Sequence, residues 1–264
     1  VFGYFTGQAM HRGSYATHVW VSENECFVPR PAGLRADVAA CLPLAGVVAL
    51  RCVAAVQPAA GPAAGAAGGR AAGPAAGAAG GPAAAAGAAG PAAGDRVLIL
   101  GAPGGVGGLA VQLAAGKGAH VIASGLPEDA EYLRELGAAD VVEPGDGLIE
   151  AVRARYPDGI HGLIDLVDYR PAFMAHAELL VPGGRAASVH RAVDEDVFAE
   201  RGLSGTNVGS FPDRGLLEEL GKLAAQGGLR VAITGRYTLD EAVKALADAK
   251  ERHSRGKLVI EVAD

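Results

Sequence analysis

From residue 95 onward, short apolar runs alternate with stretches of helical spacing, and nothing else in this 264-residue chain constrains the fold as tightly. RVLIL (96–100), AHVIAS (119–124), DVVE (140–143), HGLIDLV (161–167) and GRAASVH (184–190) read as strands. Between them, VGGLAVQLAAGKG (106–118), EDAEYLRELG (128–137), GLIEAVRARY (147–156) and residues 171–180 read as helices. Parallel strands joined by right-handed crossovers carry helices on both faces of one sheet. Strands buried on both sides are near-continuously apolar, as RVLIL is. The class is therefore α/β, a doubly wound parallel sheet.

The first strand–helix junction holds GAPGGVGG, residues 101–108. Glycines at such a junction give a tight turn, let backbone approach a pyrophosphate closely, and pack helix against strand. The N–H groups and positive dipole end of the following helix then hold phosphate. Ala102, Gly105 and Gly108 keep a spacing that this Rossmann-type turn permits. The other reading is a strand–helix turn with no ligand. Dinucleotide binding assigns Ala102, Gly104, Gly105, Val106, Gly107 and Gly108 to the pyrophosphate, and Ser124 and Gly125 to the adenosine ribose. An NAD-type site ends its second strand with a carboxylate on the ribose 2′-OH. Here that strand ends at Ser124-Gly125, and Glu128 and Asp129 come late enough to open the next helix instead, where acidic residues are favourable. A small hydroxyl suits a 2′-phosphate, so NADPH is expected ahead of NADH, although neither Arg nor Lys is close in sequence.

The remainder divides by texture. Residues 1–33 read as short strands, with YATHVWV (15–21) rich in β-branched and aromatic residues and CFVP (26–29) after a turn. Residues 34–56 read as helical, interrupted at Pro43 and Gly46. Residues 58–94 are almost wholly Ala, Gly and Pro, and AAGPAAGAAGG occurs at 59–69 and again at 71–81. Helix nuclei there are broken every few residues, and large apolar groups to stack are missing, so a flexible loop or linker is expected rather than a solenoid. The net charge of −6 supplies no basic footprint for nucleic acid or an anionic membrane surface. Three separated cysteines, Cys26, Cys41 and Cys52, make neither a disulfide framework nor a metal cluster, and they suit a reducing cytoplasm. Neither a signal peptide nor a membrane helix is legible. The start at Val1, already in strand-like sequence, points to a piece of a longer chain.

Taken in order, GSYATHVWV, VPRPAGL, ACLPLAGVVAL, GDRVLILGAPGGVGGLAVQLA, LRELGAADVV, PGGRAASV and RGKLVIEV resemble the medium-chain dehydrogenase/reductase superfamily, in its zinc-independent quinone oxidoreductase-like branch. The resemblance implies a partial GroES-like β-barrel catalytic domain beside the Rossmann-type sheet. It implies boundaries at 1–57 (partial catalytic domain and connecting helix), 58–94 (insertion), 95–230 (dinucleotide-binding domain) and 231–264 (return to the catalytic domain). It implies homodimers. Zinc-dependent relatives carry a cysteine-rich lobe where this chain has only TGQAMHRGS, so no metal is expected, and His11 and His18 read as surface or turn histidines. Several positions depart from the family pattern. Val48 stands where a hydroxyl is usual, Asp168-Tyr169 replace a Gly-Gly pair, and His190 replaces a glycine.

The implied activity is hydride transfer from NADPH to a quinone or α,β-unsaturated carbonyl, a small-molecule substrate. The resemblance brings Val189, His190, Asn207 and Val208 beside the nicotinamide, and Lys257 matches a terminal position common in the family. Tyr4, Tyr15, Tyr169 and His190 are candidate proton donors by position. Two alternatives remain open: a catalytically silent nucleotide-binding or scaffold module, and the enoyl-reductase portion of a larger synthase.

Overall fold

A computed structural model of the chain describes residues 1–4, 25–57, 91–251 and 255–262. Tyr15, His11, His18, the YATHVWV run and residues 58–90 of the low-complexity tract lie outside the described residues.

Strand β1 (Phe2–Tyr4) pairs antiparallel with β2 (Cys26–Val28). Helices α1 (Ala36–Cys41) and α2 (Pro43–Ala55) follow. The expected interruption falls at Pro43: α1 ends at Cys41 and Pro43 opens α2, because the first helical position needs no N–H partner and suits proline's fixed φ. Gly46, by contrast, does not interrupt the helix. It is buried in α2, and a Cβ built there would come within 2.7 Å of Leu220 Cδ1. The glycine is a packing notch, and the expectation of a break there is corrected.

The alternating region runs as β3 (Arg96–Leu100), α3 (Gly107–Gly116), β4 (His120–Ser124), α4 (Ala130–Glu135), β5 (Asp140–Val142), α5 (Leu148–Arg155), β6 (Ile160–Asp165), α6 (Arg170–His176) and β7 (Leu180–Ser188). It continues through α7 (Glu195–Glu200), β8 (Ser204–Asn207) and α8 (Arg214–Ala225), which the expected alternation does not include. Six strands form one parallel sheet in the order β5-β4-β3-β6-β7-β8. The chain winds outward from β3 to β5, then restarts at β6 on the other side of β3. The crevice between β3 and β6 is thus the topological switch point, where open α/β sheets bind ligands at the carboxyl ends of their strands.

Each central strand feeds two cores. In β3, Val97 and Ile99 pack into one cluster with α2, α3 and α8, while Leu98 and Leu100 pack into another with α5, α6 and α7. Phe173 of α6 and Phe198 of α7 stack in that second core, with ring centroids 5.8 Å apart. The three cysteines are buried and unpaired. Burial raises all three thiol pKa values, that of Cys52, in the middle of α2, to about 12.

The chain closes with β9 (Ile233–Thr238), α9 (Ala242–Glu251) and β10 (Lys257–Glu261), the two strands pairing parallel. This unit is fastened to α1 by ions: Asp37, with its side chain only 10% exposed, lies 2.5 Å from Arg35 and 2.6 Å from Arg236. The Arg35 hydrogen bonds chiefly, against the opposing effect of burial, bring the Asp37 pKa down to about 2. A carboxylate depressed on folding stabilises above its unfolded pKa near 3.9, and loses that contribution as pH falls through the folded value. Asp37→Asn is therefore expected to flatten the loss of stability between roughly pH 4 and about pH 2. At neutral pH it should cost under about 1 kcal/mol, because Arg35 is well exposed. Thermal melts of both proteins across that range check it.

Candidate active site

The turn from β3 into α3 is built to be narrow. Gly101 adopts φ +75°, a left-handed conformation that side chains disfavour, and its carbonyl accepts the Gly104 N–H at 3.2 Å. Gly107 then brings α3 directly over the turn, where a Cβ would lie 2.2 Å from Gly101 O and 2.6 Å from Ala102 Cα. The helix therefore begins against the carboxyl end of β3. Gly108 and Ala110 already donate to Gly104 O and Val106 O, which leaves the N–H groups at Val106 and Gly107 to face an anion.

Above this turn lies a cavity of about 860 Å³, within the size of small-molecule and cofactor pockets. Gly104, Gly105, Val106 and Gly107 form its floor at the switch point, Ser124 and Gly125 one end, and Val189, Asn207 and Val208 the far side. Leu44, Val48, Leu166 and Phe211 give it apolar walls. A pyrophosphate at the glycine turn with sugars to either side fits this arrangement. Arg191 is the single charged residue among the described lining residues. It also holds φ 56°, the one positive φ outside glycine among the described residues. A strained cation facing a cavity is a candidate anion contact, and no motif in its local sequence marks it as one.

The loop that forms the far wall is pinned from below. Arg51 of α2 donates to the carbonyls of Gly209 (3.1 Å) and Phe211 (2.8 Å) and lies 3.6 Å from Asp213. The Asn207 side chain closes a pair of bonds with Val193, accepting from its N–H and donating to its carbonyl, both at 3.1 Å. Asn207 thus lines the cavity while its amide shapes the neighbouring turn.

Other expected residues stand elsewhere. Ala102 is fully buried behind the glycine turn. Gly108 faces α4, with the Tyr132 hydroxyl 3.0 Å from its would-be Cβ. Neither lines the large cavity, and both serve the packing of helix on strand. His190 is outside the lining and packs on Tyr169, ring centroids 4.7 Å apart, with Tyr169 itself 68% exposed. Tyr4 has a buried hydroxyl without a hydrogen-bond partner and does not reach the cavity lining. Lys257 lies against Gly105 from the C-terminal unit, its Cε 2.5 Å from where a Cβ would be.

That contact belongs to a wider clasp. Gly256 donates to Pro103 O at 3.0 Å and forms a parallel bridge with Gly104. Arg255 places its Nε 2.5 Å from Asp129 Oδ1 and also donates to Glu128 O. A cation absent from the local sequence thus reaches the β4–α4 turn from 126 residues away.

A family profile described as zinc-binding dehydrogenase matches residues 105–214. The chain is 27% identical over 173 residues to the chloroplast envelope quinone oxidoreductase homolog of Arabidopsis thaliana, spanning 62% of this chain and 52% of that protein. It is 28% identical over 196 residues to the mitochondrial NAD(P)H oxidoreductase RTN4IP1 of Homo sapiens, spanning 63% and 48%. The solved quinone oxidoreductase from Coxiella burnetii superposes with a TM-score of 0.68 at 26% identity, over 89% of this chain and 64% of that one. The chain spans about half the length of these curated relatives. With the strand order and the glycine turn, these likenesses support a place in the medium-chain dehydrogenase/reductase superfamily. Within that superfamily the similarity is to quinone oxidoreductases. No helix among the described residues is long and apolar enough to cross a membrane.

Proposed function

We propose that this chain carries the nucleotide-binding part of an NADPH-dependent reductase that passes hydride to a quinone or an α,β-unsaturated carbonyl, without zinc. The observation that carries the reading is the convergence of the glycine turn, Ser124 and Arg191 on one cavity with apolar walls. When bound, the nicotinamide supplies the hydride, and the protein orients it and excludes water. Gly104 to Gly107 hold the pyrophosphate, and Ser124 with Gly125 holds the adenosine ribose. Val189 and Val208 support the nicotinamide side, and Leu44, Val48 and Phe211 exclude water from the reacting carbon. Arg191 adds positive charge toward an anionic cofactor in an otherwise acidic protein. The zinc-free reading rests on the family resemblance, whose zinc-dependent members carry a cysteine-rich lobe where this sequence has only TGQAMHRGS. The unpaired cysteine thiols fit a reducing, cytoplasmic setting, and the family resemblance carries the expectation of a homodimer.

Parallel fluorescence titrations with NADPH and NADH test the proposal. NADPH is expected to bind at least about tenfold more tightly, a difference of 1.4 kcal/mol. Ser124→Asp should remove that preference by setting a carboxylate against the 2′-phosphate. Preference for NADH in the unaltered chain would overturn the assignment of Ser124. Binding of neither would reduce GAPGGVGG to a structural turn.

A further inference from the structure

Beside the large cavity, and sharing Gly101 and Ser124 with it, a second cavity of about 400 Å³ opens among the ends of β3 and β4, the turn after β6, α5 and α6. Its wall holds Asp168 and His176, and behind them lies Asp165, the last residue of β6 and fully buried. One ligand atom from each of these three residues lies within 4.8 Å of the others. We propose that Asp165, Asp168 and His176 bind a divalent cation of the zinc, cobalt or manganese class. This ion would sit outside the large cavity and takes no part in the zinc-free hydride transfer proposed above, whichever nucleotide that cavity binds.

The decisive atom is Asp165 Oδ2. Its companion Oδ1 accepts the N–H groups of Val167 (3.0 Å) and Asp168 (2.9 Å), which closes the turn after β6. Oδ2 itself is buried without a hydrogen-bond partner. A buried carboxylate oxygen left in this state is costly, and buried charges are ordinarily paired or coordinate metals. Next to it, Asp168 Oδ2 lies 3.2 Å from His176 Nδ1, close enough for an ion pair but without the angles of a hydrogen bond. The nearby Arg170 is engaged with Asp194 instead. A proton would satisfy one oxygen; a metal ion would satisfy all three side chains.

The donor set of one imidazole nitrogen and two carboxylate oxygens suits zinc, cobalt and manganese better than copper(I) or iron–sulfur chemistry. Zinc bonds to such atoms are about 2.0–2.2 Å, so a closed shell sets its donors roughly 3.3–3.6 Å apart. Asp168 and His176, at the cavity lip, have only a short movement to make toward fixed Asp165. The remaining coordination positions would face the cavity, for water or an anionic ligand. Cysteine and histidine spacing does not reveal this group, because its ligands are brought together by a strand end, a turn and the last residue of α6.

Metal-stripped full chain titrated with Co²⁺, followed by its visible d–d absorption and by calorimetry, tests the proposal. One ion per chain is expected to bind in a way that Asp168→Asn/His176→Gln weakens by more than about 100-fold, beyond the 10–100-fold that outer-shell partners cost. Zn²⁺ should raise the melting temperature of the unaltered chain and not that of the double variant. If the double variant does not fold, Asp168→Asn alone carries the comparison. Co²⁺ bound equally by the unaltered chain and a folded variant would overturn the proposal, as would no binding at millimolar Co²⁺.

Discussion

Gly107→Ala is expected to destabilise the folded chain by about 3 kcal/mol or more and to abolish nucleotide binding by what remains folded. The reason is what the added methyl meets. Its nearest neighbours would be Gly101 O at 2.2 Å, Ala102 Cα at 2.6 Å and Ala102 O at 2.7 Å, all backbone of the same turn. A side chain can rotate away from an intruding methyl, whereas this backbone is tied into β3 and the sheet. Either α3 lifts from β3 or the turn opens, and both destroy the floor of the large cavity. Gly116→Ala is the matched control. It lies in the same helix with nothing within 4 Å of its Cβ position, and it should stabilise by roughly 0.5–1 kcal/mol through helix propensity. Urea unfolding of both variants decides the matter, and an unshifted midpoint for Gly107→Ala would refute the packing argument.

Arg255→Met should cost about 3 kcal/mol and loosen the adenosine end of the cavity. Asp129 is completely buried, and Arg255 is its charged partner at 2.5 Å. The guanidinium also lies 5.9 Å over the Tyr132 ring. Removing the cation takes from a fully buried carboxylate its ion pair at 2.5 Å, while the Leu126 N–H at 3.2 Å remains among its contacts. Leu126, Gly125 and Ser124 line the cavity, so strain at Asp129 is felt at the proposed ribose contact. Asp129→Asn combined with Arg255→Met should recover much of the loss, because the stranded charge is gone. A double-mutant cycle measures this, and a coupling below about 0.5 kcal/mol would show that the two residues act independently.

Strands β3, β4 and β6 are legible in the sequence because they are buried on both faces, and the edge strand β5 because its Val141-Val142 pair precedes the turn residues Pro144-Gly145. Strand β8 is not. Ser204–Asn207 reads SGTN and lies at the sheet edge, where only one neighbour and little burial constrain its side chains. Helix α8 does carry a local signal: Asp213 caps it, accepting the Leu216 N–H at 3.0 Å, ahead of the apolar spacing of Leu216, Leu217 and Leu220. Gly46 misleads because propensity counts its cost within the helix and not the Leu220 side chain that fills its space. At the site, the glycine turn and Ser124 are legible because neighbours in sequence build them. Arg191, the Arg255 clasp and the Asp165–Asp168–His176 group are not, since each depends on crossovers that bring distant segments to one end of the sheet.

The burial of the cysteines gives this molecule a clock for its own opening. A thiolate-seeking reagent modifies Cys26, Cys41 or Cys52 only when the surrounding structure parts, since each is shielded and its pKa is raised. Cys26 sits on the small β1–β2 pair, Cys41 ends the short α1, and Cys52 lies inside α2 between the sheet and α8. The order in which they are modified therefore records the hierarchy of local and global unfolding, with Cys52 reporting rupture of the core itself.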